Sequence, residues 1–383
     1  MSKRNFYISY IKGYAIIGVL LIHLIDWSNI VVTPNIKFWR ELLYPAVLFF
    51  ISTVGSVIYI AYAHRDNLKK TTWRLIMRGG QLIGIYFLYN LIKLWIYDFD
   101  KSPFYWQFTE KGIFDVKNIF LLHSFSVPIT IILTIGAFLI ISPLFLWIAK
   151  RARYPKIIIG AILTATLTLN YIIPLPQNIV TDFLYSRNIV MFPLALWFVP
   201  YLIGFYLALL GFEKYKGKMF LLFAILTGVF YYFAQASGGS WRLSEYMYPL
   251  RLYYICASFA FMYALIWLFW GIERLLSVIL RRSRRIPLID NTKGSFASLR
   301  MTIVSQILTF AGMTLRSFLA LIRFLGDHTL AIYIYHWIVI DLAIWYYYPD
   351  VKKIWIWGPI LVLIYLIIKR KKLLEYYKEY SAD

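Results

Sequence analysis

The sequence is poor in acid and almost without cysteine. Asp and Glu number 18 against 40 Lys and Arg, and charged residues of both signs make up only 15% of the chain, where an ordinary soluble domain carries about 25%. The single cysteine, Cys256, lies in an apolar stretch. That excludes a disulfide framework and a thiolate metal cage, and Cys256 reads as a small core residue rather than a nucleophile. No Walker loop, dinucleotide fingerprint, nucleophile elbow or metal-ligand spacing occurs, so neither a metal nor a bound cofactor is expected. Internal repeats, Gly/Ser linkers and long polar stretches are missing as well. Residues 1–383 therefore read as one membrane-embedded domain rather than a string of soluble ones.

What fills the chain instead is hydrocarbon: 61% of residues are hydrophobic and 20% aromatic, against about 45–50% apolar in soluble proteins. Lipid must be part of the solvent. A helix crossing the bilayer needs about 20 mainly apolar residues. Runs of that kind fall at residues 7–27, 41–63, 75–97, 119–149, 156–174, 190–211, 218–236, 251–276, 328–348 and 353–369. The expected fold is all-α, a polytopic transmembrane helix bundle of about ten spans. The fourth run is too long and should begin with an interfacial turn up to Pro128. The first follows Lys3 and Arg4 as a signal peptide would, but it contains Lys12 and lacks a small-residue cleavage site, so it should remain as a span.

The net charge of +22 would suggest nucleic acid in a soluble protein, but here the basic residues sit in short loops between apolar runs. Every second loop is basic: Lys3 and Arg4, then Arg65 to Arg74, Lys150 to Lys156, Lys214 to Lys218, Arg274 to Arg285, and the tail from Lys369 to Lys372. Cytoplasmic loops collect Lys and Arg, so both termini should be cytoplasmic and no nucleic acid is expected as a partner. The alternate loops hold Asp98, Asp100, Glu110, Asp115, Asp182 and Glu245 and should face the exterior. Residues 301–325 are apolar but carry Arg316 and Arg323. Residues 277–327 are therefore read as a cytoplasmic basic loop followed by an interfacial helix.

Ionisable residues inside a span cost about 2.5–3.5 kcal/mol on insertion scales, so each calls for a partner or a task. Lys12 and His23 are eleven residues apart, which returns to one helix face and separates them by roughly 16 Å along the axis. Ser9 and Asp26 lie on a similar face. Asp26 at i+3 could hold His23 in one tautomer, and an imidazole suits proton removal from a hydroxyl near neutrality. The plainer reading has His23 hydrogen-bonded to a neighbouring helix, Asp26 marking the water interface and Lys12 snorkelling to the headgroups. Arg74 and Arg78, one turn apart, could clamp phosphates of a cytosolic donor, or simply set topology. In the ninth run, Gly326 to Thr329 is a helix-start signature, followed by Tyr333 and His336 inside the span. His336 is either a second active-site group or a packing residue. His123, Asn90 and Lys93 are polar positions without a clear assignment.

With those residues in view, IKGYAIIGVLLIH at residues 11–23 resembles the opening helix of the acyltransferase family 3 membrane proteins, whose signature is a basic residue, ten others and a histidine. Lys12 and His23 occupy those positions, with Lys12 in place of the family's usual arginine; the charge is kept and the bidentate fork is lost. FFISTVGSVIYIA at residues 49–61 is similar to the family's second span. Arg74 and Arg78 resemble its basic third-helix start, and FLGDHTLAIYIYHW at residues 324–337 its closing motif.

The resemblance implies transfer of an acyl group, commonly acetyl, from cytosolic acyl-CoA (foremost acetyl-CoA) to a hydroxyl of an extracytoplasmic glycan, a lipid-linked glycan or a similar envelope molecule at the plasma membrane. On that reading His23 is the base or acyl-transfer residue and Asp26 its orienter. Lys12, Arg74 and Arg78 contact the donor, and Tyr333 and His336 shape or polarise the pore. Two rivals stand beside it: a transporter or flippase for a lipid-linked glycan, whose repeated halves and interrupted helix pairs are not visible in the sequence, and a non-catalytic partner in a glycan-assembly complex.

Overall fold

Thr33 precedes Pro34, and in the computed structural model of the chain that dipeptide starts a helix. Thr33 Oγ1 accepts the Ile36 N–H at 3.4 Å, and the proline takes a position where no amide donor is needed. The structure describes residues 6–27, 33–96, 106–108, 116–120, 124–126, 129–172, 192–212, 214–247, 250–285 and 314–347, with a few isolated positions besides.

The helices are α1 (Phe6–Trp27), α2 (Pro34–Leu43), α3 (Pro45–Tyr62), α4 (Leu68–Ile96), α5 (Val116–Phe120), α6 (Thr130–Arg151), α7 (Pro155–Tyr171), α8 (Leu194–Leu210), α9 (Lys216–Ala236), α10 (Leu252–Arg285), α11 (Thr314–Asp327) and α12 (Thr329–Tyr347). A short antiparallel pair, β1 (Trp106–Phe108) with β2 (Ser124–Ser126), is the one departure from the all-α expectation among the described residues.

Among the described residues, five helical stretches, one of them α2 with α3, are long and apolar enough to cross a membrane, and the bent pair α11 and α12 makes a sixth if taken as one span. The chain is a membrane protein. Helices occupy nine of the ten runs expected to span; the tenth, 353–369, lies outside the described residues except for Lys369. α6 begins at Thr130, just past Pro128, as expected for a run too long to be one span. Two other boundaries differ from expectation for local reasons. α4 begins at Leu68, so Arg74 and Arg78 are inside a helix and not at its mouth. α10 runs on to Arg285: the basic stretch expected in a loop contains neither Gly nor Pro before Pro287, and Leu and Arg both favour helix.

α3 is the hub, burying 12 residues, from Pro45 to Tyr62, between α1 and α8. Between apolar helices in lipid, attraction comes from close packing rather than from expelled water, and small residues allow it. Gly79 on α4 and Gly136 on α6 face one another; a Cβ at Gly79 would stand 2.6 Å from the Gly136 carbonyl oxygen, and one at Gly136 2.9 Å from that of Gly79. Only hydrogen fits at either place.

The segment expected to lie on the cytoplasmic surface is partly α11. This helix buries Leu319, Ala320, Phe324 and Leu325, and its backbone meets that of α1 at Gly13 and Gly326, where a Cβ would strike Ile322 and Ser9 respectively. It then turns through 75° into α12, an interrupted helix pair of the kind the sequence does not reveal. Tyr7 and Tyr10 of α1 donate to the two oxygens of Glu273 on α10, at 3.1 and 2.9 Å, and the buried guanidinium of Arg323 on α11 acts on the same carboxylate. Three helices are thereby tied at one polar knot.

Candidate functional site

α1 carries two of the singled-out residues on one stripe, and the helices around it complete two distinct environments. At the first, Lys12 lines a cavity of about 410 Å³ together with Arg78 and Gln81 of α4, Asp327 at the end of α11 and Thr329 of α12. Its apolar wall comes from α3, α4 and α6 and includes Phe50, Val54, Leu82 and Ile135. Tyr62 stands at its edge, where its hydroxyl accepts from Arg78 Nη1 at 2.7 Å. Ser9 Oγ donates to Asp327 Oδ1 at 2.7 Å. The cavity thus combines an apolar interior with two cations and one carboxylate, a lining suited to an anionic group carried on an apolar chain.

At the second environment, His23 Nδ1 lies 3.1 Å from His336 Nε2, with the two rings 10° from parallel. His23 is half-buried, whereas His336 is buried behind it at 1% exposure. Trp337 packs on His23 at 4.4 Å between ring centroids, and Tyr333 meets His336 edge-on at 5.1 Å. Tyr333 also meets Phe50 of the cavity wall at 5.5 Å. An aromatic path, Phe50 to Tyr333 to His336, therefore joins the cavity to the histidine pair.

The structure brings together Lys12 with Arg78, and His23 with Tyr333 and His336. Arg74 is exposed and is not part of the cavity lining. Asp26 lies in the last turn of α1, and its side chain is outside the described residues, as is His123. Asn90 and Lys93 are buried on α4, where Asn90 Nδ2 donates to the Tyr86 carbonyl at 2.8 Å and the Lys93 ammonium sits 5.1 Å over the Tyr89 ring. Among the described residues no group of three or more His, Cys, Asp or Glu could hold a metal ion.

Asp327 and Thr329 are the functional candidates the sequence conceals. Read in line they are a helix start, and only the 75° break turns them toward Lys12. The useful signal was a carboxylate directly after Gly326, in the middle of an apolar stretch. Comparison with protein-family models, with characterised proteins and with solved structures finds no match to this chain.

Proposed function

We propose that the chain is a membrane-bound acyltransferase that moves an acetyl or other short acyl group from cytosolic acyl-CoA to a hydroxyl of an extracytoplasmic glycan or envelope molecule. The observation that carries the reading is that Lys12 and His23, one helix face and roughly 16 Å apart, belong to two joined environments: a cavity with paired cations at one end, a histidine pair at the other. In the ten-span arrangement with both termini cytoplasmic, Lys12 and Arg78 lie toward the cytosol and His23 toward the outer leaflet. The donor's phosphates rest on the cations, and its extended pantetheine arm runs through the apolar cavity, bringing the thioester toward His23.

There His23 Nε2 takes the proton of the acceptor hydroxyl as the oxygen adds to the thioester carbonyl carbon. The carbon–sulfur bond then breaks, and the departing thiolate recovers the proton from the imidazolium, leaving ester, free coenzyme A and neutral His23. A base in this role contributes about 10²–10⁴ in rate, and holding both substrates in line adds to it.

A transporter for a lipid-linked glycan is the second reading, and one observation favours it: the interrupted pair α11 and α12 with Asp327 at the break, beside the cavity. The experiment that separates them supplies acetyl-CoA, labelled in its acetyl group, to membranes holding wild type or His23→Ala at matched levels, and follows label into envelope glycans and lipids. Transfer that falls by about 10²-fold or more in the variant supports the acyltransferase. No transfer by wild type, with several acyl donors and acceptors offered, favours the transporter.

A further inference from the structure

Two histidines 3.1 Å apart share one hydrogen, and their surroundings decide which ring owns it. His336 Nδ1 lies 3.3 Å from the Ile332 carbonyl oxygen, one turn back on α12. A carbonyl only accepts, so that nitrogen of His336 carries a hydrogen, and in a neutral ring Nε2 is then the acceptor. The hydrogen between the rings must come from His23 Nδ1. It follows that neutral His23 has its lone pair on Nε2, the opposite edge of the ring.

We infer that His336 is a positioning residue: through the chain Ile332 carbonyl, His336, His23 it holds His23 in the tautomer that presents a basic Nε2. This rests on the acyltransferase reading for its consequence in turnover, but not for the hydrogen bond itself. Three further observations agree. The rings are nearly parallel at 10°, so the bond fixes orientation as well as tautomer. His336 is buried while His23 is partly exposed, as a supporting group and an acting group should be. Trp337 and Tyr333 close on the pair from its sides and restrict ring rotation.

The chain has 5 histidines, few enough for ring-nitrogen NMR on histidine-labelled protein in lipid nanodiscs, with His23 assigned by the signals lost in His23→Gln. The wild type is expected to show His23 protonated at Nδ1 with its lone pair at Nε2, the tautomer less favoured by a free histidine side chain. In His336→Leu the His23 signals should move to the other tautomer or to a mixture, and kcat should fall at least about 10-fold with KM near wild type, since the lost interaction acts on the reacting group and not on donor binding. His336→Gln, whose side-chain carbonyl can accept from His23 Nδ1, should retain both tautomer and most of the rate.

A wild-type His23 protonated at Nε2 overturns the inference, and so does wild-type kcat in His336→Leu. If the wild type transfers no acyl group at all, it is the acyltransferase reading that falls, and the wild-type spectra still decide whether His336 holds His23 as argued.

Discussion

Gly79 and Gly80 are neighbours on α4, yet the same substitution should act oppositely at the two. A Cβ at Gly79 would stand 2.6 Å from the Gly136 carbonyl oxygen and 2.7 Å from Ile140 Cγ1, whereas at Gly80 it would meet nothing within 4 Å. Carbon–oxygen contact is comfortable from about 3.3 Å, so Gly79→Ala must push α4 from α6 by about 0.7 Å, against backbone rather than a movable side chain. Overpacking of this kind costs about 1–3 kcal/mol. Both substitutions gain the same helix propensity, about 1 kcal/mol, so it cancels in the comparison. Gly80→Ala should therefore be more stable than Gly79→Ala by about 1–3 kcal/mol, and Gly80→Ala no less stable than wild type. The assay is thermal unfolding of the three purified proteins in one detergent, followed by loss of the monodisperse species. Because Leu75, Arg78 and Leu82 of α4 and Ile135 and Leu139 of α6 line the cavity, Gly79→Ala should also raise KM for the acyl donor. Coincident unfolding of the two variants would refute the close-packing argument.

Lys12→Gln should raise KM for acyl-CoA with kcat less affected, while Lys12→Arg, which adds a forked donor, should hold or lower it; steady-state kinetics over donor concentration checks both. Phe50→Ala removes the ring between the cavity and Tyr333 and should broaden acceptance toward bulkier acyl donors, read by competition between acetyl and longer thioesters. Glu41, buried at the end of α2, accepts from Ser244 N and Oγ at 2.9 and 2.6 Å. Glu41→Ala strands both donors and should cost about 1–3 kcal/mol, with faster proteolysis around residues 240–246 as the local readout.

Much of the fold is legible in the sequence because the bilayer imposes a simple demand: a backbone that cannot meet water must satisfy itself within a helix. Apolar length alone therefore locates α3, α4, α6, α9 and α10, and Pro34, Pro45 and Pro155 mark helix starts through their fixed φ and missing donor. The same reasoning does not reach α11. Its two arginines suggest a surface helix, but Arg323 is buried beside the Glu273 carboxylate, and a charge met by a partner from another helix has no signature in its own segment.

Spacing along one helix is enough to put Lys12 and His23 on a shared face, since 3.6 residues per turn is a local property of the backbone. Everything contributed across helices is beyond it. The pairing of His23 with His336, 313 residues later, the sharing of one cavity by Lys12, Arg78 and Asp327, and the 75° turn between α11 and α12 all depend on which faces pack together. Sequence by itself determined a helical membrane chain and the chemistry available on each helix. Only tertiary packing, set by backbone approaches such as Gly13 with Ile322 and Gly79 with Gly136, decided which of those groups meet, because side-chain contact in lipid follows the shapes of helix surfaces and not the order of residues along one chain.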